Sequence, residues 1–145
     1  MRTPLHLSLL RPSGRLATAL LLLAAFASVA CANTKAAEDP VWGKQPCAHC
    51  KMIVGEPRHA GQLTTKDGDR LFFDDPGCLV LEQHKRAKEV DMLWVRDDAG
   101  KWIDARAARY RTGAKTPMNF GYITDTAGTL RFADLEKAMI KGRGE

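Results

Sequence analysis

Gly61-Gln62-Leu63-Thr64-Thr65-Lys66-Asp67-Gly68-Asp69-Arg70-Leu71-Phe72-Phe73-Asp74-Asp75-Pro76-Gly77-Cys78 carries the strongest local folding signals in the chain. Residues 61–65 and 70–73 are strand-like runs about a polar turn in which Asp-Gly tolerates positive φ, so the segment predicts a β-hairpin. Asp75 can then cap a helix, and Pro76 suits its first position, where no N–H is needed. Leu79, Val80, Gln83 and Ala87 are spaced along one face of that helix. Further out, 90–95 and 101–103 read as strands about the turn Asp97–Gly100.

The last third repeats this outline. Tyr122-Ile123-Thr124, a turn at Gly128 and Leu130-Arg131-Phe132-Ala133-Asp134 echo the first hairpin, and both copies read L-x-F-x-D. Each strand is expected to end at Phe, with the Asp two residues later capping a helix, the second over 134–141. The pattern predicts a small α+β domain of ββα units.

Composition sets the frame for that domain. The chain has 145 residues, 22 Lys+Arg against 17 Asp+Glu and four Cys, which fits one modest domain plus a targeting segment. Arg2, Arg11 and Arg15 precede the apolar run 16–30, while every acidic residue lies after Cys31. Without the first thirty residues the basic excess is ordinary, and no like-charge block offers a phosphate-binding stripe, so a nucleic-acid partner is not expected. Residues 1–30 read as a secretory signal, because the apolar run is shorter than the roughly 20 residues a membrane span needs. Ser28-Val29-Ala30-Cys31 resembles the lipobox of bacterial lipoproteins, with Ser28 where Leu is usual. Cys31 would then be lipidated and become the new N-terminus, whereas cleavage after Ala32 would give a soluble exported protein. Residues 31–45 are expected to form a flexible tether, and 46–145 the functional domain.

The chemistry concentrates in Pro46-Cys47-Ala48-His49-Cys50-Lys51-Met52, which holds C-x-x-C and C-x-M. C-x-x-C alone fits a metal site, a redox dithiol or a structural disulfide. No apolar strand precedes it, as a thioredoxin-type motif would require. Zinc would need two further ligands, for which Cys78 and one of His49, His59 or His84 are available. Met52 favours Cu(I), which prefers soft sulfur. Its other reading is a core methionine heading Met52-Ile53-Val54, and core packing is the expectation for Met92 and Met139. In Thr116-Pro117-Met118, proline restricts Thr116 to extended geometry and could fix Met118 in a loop. Capping accounts for Asp75, and solvent or a neighbouring N–H would satisfy Asp74. No nucleophile, phosphate-binding or dinucleotide motif occurs, so nothing in these residues identifies a nucleophile, a catalytic metal or a nucleotide site.

The export signal with Cys31, C-x-x-C-x-M, Leu71–Cys78, Trp102-Ile103-Asp104-Ala105 and Thr116-Pro117-Met118, in this order, resemble the NosL family of copper-binding accessory lipoproteins of nitrous oxide reductase. The resemblance spans roughly Pro46 to Lys141. It implies an α+β fold of two related ββαβ units and a periplasmic Cu(I) chaperone held to membrane lipid through Cys31. It further implies delivery of copper to nitrous oxide reductase or a related copper enzyme, with a membrane ABC-type complex assisting. By the family's motifs, Cys50 and Met52 are the C-x-M ligands, Cys47 is an auxiliary ligand and Met118 is the methionine of T-P-M, with His49 as a further candidate. Lys51 stands where the family usually has Gly, and its cation is expected to lower the pKa of the Cys50 thiol. The rival readings are a thiol-disulfide oxidoreductase using Cys47 and Cys50, and a zinc-stapled interaction module.

Overall fold

The structure, a computed structural model, describes residues 35–142; the expected signal and Cys31 lie outside the described residues. The hairpin forms as the sequence predicts. Strand β1 (Gly61–Thr65) pairs antiparallel with β2 (Arg70–Phe73), Gly61 opposite Phe73 and Leu63 opposite Leu71. The turn closes through Thr65 N–H to Asp69 O at 2.9 Å, with Gly68 at a φ of 95°. Helix α1 (Pro76–Lys85) starts where the cap predicts, as the Asp75 carboxylate accepts the Gly77 N–H at 2.8 Å. Strands β3 (Val90–Arg96) and β4 (Trp102–Asp104) complete a four-stranded antiparallel sheet in the order β2-β1-β3-β4.

The sheet has two covered faces. Side chains alternate along each strand, so Leu63, Phe73, Leu93 and Val95 share the face on which α1 lies, and all four are buried. Gly61 permits the close approach, since a β-carbon there would sit 3.2 Å from the Leu79 side chain. Gln62, Phe72, Trp94 and Arg96 point the other way, and there the N-terminal segment lies. Glu38 and Gln62 exchange two hydrogen bonds, of 3.1 and 2.9 Å, and Arg70 pairs with Glu38. Asp39 accepts from Arg96 and from the Trp102 indole, while the Arg96 guanidinium lies between the rings of Trp42 and Trp102. The tether expected over 31–45 is thus corrected in its described part: from Lys35 onward the chain is pinned to the sheet. A buried Gln and a large Trp-rich face supply partners that a free tether would leave unmet.

Three other expectations shift. Helix α1 ends at Lys85, and Ala87 is exposed in the turn to β3. Residues 76–82 are buried, because helix α2 (Phe132–Lys141) and the sheet flank the helix from different sides. Met92 is half-buried, on the face opposite Leu93, whereas Met139 is in the core. In the last third, Tyr122–Thr124 does not pair with 130–133. Two-residue strands β5 (Tyr110–Arg111) and β6 (Ile123–Thr124) pair instead, and Tyr110 also bridges Leu130. Gly128 decides this, since its backbone lies so close to Tyr110 that a β-carbon would stand 2.4 Å from the Tyr110 carbonyl oxygen. Helix α2 therefore begins at Phe132, and Asp134 accepts the Arg131 N–H from inside the first turn rather than capping it as Asp75 does. The fold is α+β, as expected, with the order ββαββ in its first part and a shorter ββα in its second.

Candidate metal centre

The C-x-x-C segment is a tight clasp. Pro46 bridges Ile53, Cys47 N–H donates to Met52 O at 2.7 Å, and Val54 N–H donates to Gln45 O at 2.9 Å. Within it, Lys51 N–H bonds back to Cys47 O at 3.1 Å and Lys51 adopts a φ of 70°. One hydrogen bond, Ala48 N–H to Phe72 O at 2.8 Å, joins the clasp to the outer edge of β2. That bond brings Cys47 and Cys50 to the point where β2 ends at Asp74 and α1 opens with Cys78 in its first turn.

The Sγ atoms of Cys47, Cys50 and Cys78 and a carboxylate oxygen of Asp74 all lie within 4.8 Å of one another. All three cysteines are free thiols; Cys47 and Cys78 are buried and Cys50 is half-buried. The Cys50 S–H donates to Asp74 Oδ1 at 3.3 Å, while Asp74 Oδ2 is buried without a partner. Solvent and backbone thus do not satisfy Asp74 as the sequence suggested. The arrangement can accept a soft cation with up to three sulfurs and one oxygen, a donor set suited to thiophilic metals.

Charge is unevenly spread over the three thiols. The Cys78 S–H, and then the N–H groups of Cys50 and Asp74, stabilise the Cys47 thiolate against burial and bring its pKa down to about 6. Burial first, then the neighbouring Cys47 and Asp74, push Cys50 up to about 11. Donation to Cys47, with burial, raises Cys78 strongly. The expected activation of Cys50 by Lys51 does not occur, because the Lys51 ammonium turns to the Ala48 carbonyl at 2.7 Å. A titration of the metal-free reduced protein, followed by thiolate ultraviolet absorbance, should show one thiolate forming near pH 6 and lost in Cys47→Ser. The sign follows from the shift: Cys47 releases its proton more readily folded than unfolded, so its thiolate favours the folded state as pH rises from 6 toward 9.

Lys51 carries a local cost, since a side chain in the left-handed region is disfavoured by about 1–2 kcal/mol, against about 0.5–1 kcal/mol for the freedom of a glycine. Lys51→Gly should therefore raise stability by about 0.5 kcal/mol, read as a Tm increase of about 2–3 °C.

The other candidates are placed as follows. Met52 is 45% exposed on the rim of the clasp. Met118 is half-buried against the core, and its N–H donates to Asp75 Oδ2 at 3.0 Å, so its loop is fastened to the first turn of α1 beside Cys78. Phe120 of the same loop covers Gly77, where a β-carbon would stand 2.3 Å from the ring. Each histidine offered for zinc faces a carboxylate instead: His49 lies 3.2 Å from Glu82, His59 3.0 Å from Glu56 and His84 3.6 Å from Glu136. The group that joins the three thiols is Asp74. The signal for it lies beside L-x-F-x-D, whose own Asp is the capping Asp75: Asp74 is the residue just before it, immediately after β2 and four residues before Cys78.

No protein-family model and no curated protein sequence matches the chain. The crystal structure of the copper chaperone NosL from Shewanella denitrificans is similar to it with a TM-score of 0.50 at 17% sequence identity, covering 74% of this chain and 87% of that one. At this identity the likeness is one of fold: a small α+β domain with antiparallel sheets and two helices.

Proposed function

We propose that the protein is a Cu(I) chaperone, exported to the periplasm and held to membrane lipid through Cys31, which delivers copper to nitrous oxide reductase or a related copper enzyme, with a membrane ABC-type complex as a further partner. The observation that carries this reading is the convergence of three free thiols at the mouth of α1, one of them favoured as a thiolate at neutral pH. The fold likeness to a copper chaperone supports it. Copper is cargo here, and the ligands need to release it as well as hold it.

In this reading Cys50 and Met52 receive Cu(I) at the rim, Cys47 supplies a ready thiolate behind them, and Met118 offers a second thioether from the loop tied to Asp75. Thioethers are neutral and exchange readily, so an incoming soft ligand of the partner displaces one sulfur at a time. A thiol-disulfide oxidoreductase is less well served by this geometry. Its nucleophile has to be both exposed and of low pKa, whereas Cys47 is fully buried and the more accessible Cys50 is pushed up to about 11.

The test is transfer. Copper-loaded protein mixed anaerobically with an apo copper enzyme should pass its Cu(I) on, and Met52→Ala should slow transfer while weakening affinity by only about tenfold, or about 1.4 kcal/mol. Retention of copper in the presence of every copper-enzyme acceptor would count against delivery.

A further inference from the structure

We infer that Cys47, Cys50, Cys78 and Asp74 form a closed four-ligand site for a divalent thiophilic cation, with Asp74 as the oxygen ligand that sets the preference for a divalent over a monovalent ion. This rests on the thiol group being a metal centre, not on copper delivery. Asp74 is 2% exposed, one of its oxygens accepts only a thiol proton and the other has no partner. Among the described residues no Lys, Arg or His pairs with it. A buried carboxylate in such surroundings lacks the positive charge that would offset its desolvation. A metal ion at the thiols would supply it.

Geometry and charge agree on the class of ion. Tetrahedral zinc with Zn–S of about 2.3 Å holds its sulfurs about 3.8 Å apart, so donors already within 4.8 Å of one another need to close by no more than about 1 Å. Binding to all four groups releases the Cys50 and Cys78 thiol protons to solvent and gathers four negative charges, which a divalent ion neutralises better than a monovalent one. Cu(I), content with two or three sulfurs, leaves Asp74 unused. Cys47 and Cys78 are both fully buried, so an ion bound to all four groups is enclosed, unlike one held at the Cys50–Met52 rim. In an oxidising compartment, such a resting form would keep the three thiols from pairing as disulfides.

The experiment uses the full-length chain with Cys31→Ser throughout, reduced and metal-free, titrated with Zn(II) and separately with Cu(I) against competing chelators. One Zn(II) per chain is expected, and Asp74→Asn should weaken Zn(II) at least tenfold while changing Cu(I) less than threefold. X-ray absorption of the zinc-loaded chain with Asp74 intact should show three sulfurs at about 2.3 Å and one oxygen near 2.0 Å, a readout independent of whether Asp74→Asn folds. A four-sulfur shell, imidazole scattering, or equal loss of both metals in Asp74→Asn would overturn the assignment. So would Cu(I) binding without Zn(II) binding, whereas Zn(II) binding without Cu(I) binding would support it and overturn the copper proposal instead.

Discussion

Cys50→Ser should lower Cu(I) affinity by at least about a thousandfold, or about 4 kcal/mol, while leaving the fold nearly unchanged. The thiol and the hydroxyl are close in shape, so the clasp bonds from Pro46 to Val54 persist and Asp74 Oδ1 keeps a donor. What is lost is the soft ligand at the accessible side of the cluster, and a hydroxyl has little affinity for Cu(I). Cys47→Ser should cost as much or more, because the thiolate favoured at neutral pH is removed and no longer accepts the Cys78 S–H. Chelator competition under anaerobic conditions, with thermal melts of each metal-free variant alongside, separates ligand loss from unfolding. An affinity in Cys50→Ser within tenfold of the parent would remove Cys50 from the site.

Asp75→Ala has the largest expected effect on stability. Asp75 is fully buried; one oxygen accepts the Gly77 N–H at 2.8 Å and the other the Met118 N–H at 3.0 Å. Losing the cap costs about 1 kcal/mol, and stranding the half-buried Met118 N–H that was bonded to the carboxylate costs about 1.5–3 kcal/mol. A total near 3 kcal/mol corresponds to a Tm fall of about 10–15 °C for a domain of this size. The same change releases the loop that carries Met118 and Phe120 from the mouth of α1. Copper affinity should therefore drop in Asp75→Ala by about as much as in Met118→Ala, if that thioether is a ligand. Met118→Ala weakening apo and holo protein alike, with no selective loss of copper, would instead mark Met118 as core.

The hairpin, its turn and the start of α1 were legible in the sequence because the signals are local: Asp-Gly at 67–68, then Asp75 and Pro76 at the first helical positions. The pairing in the last third was not. Strands of two residues carry no periodic pattern, and β5 becomes the partner of β6 through the packing of the Tyr110 backbone against Gly128, a contact no short window contains. Similarly, spacing brings Cys47 and Cys50 together, but the arrival of Asp74 and Cys78 depends on the Ala48–Phe72 bond between the clasp and the β2 edge. The order of thiol acidity was hidden for the same reason. It follows from which thiol receives hydrogen bonds and which is desolvated, and not from the nearest cation in the sequence, since Lys51 is occupied by Ala48.

A Cu(I) site built on the Cys47–Cys50 clasp has to depend on the redox state of those two thiols, so the decisive measurement is anaerobic Cu(I) titration of the chain against a chelator in two states: fully reduced, and with Cys47 and Cys50 joined as a disulfide. One tightly bound Cu(I) is expected in the reduced protein and none in the oxidised one, with binding restored on reduction. Equal affinity in the two states would contradict such a site.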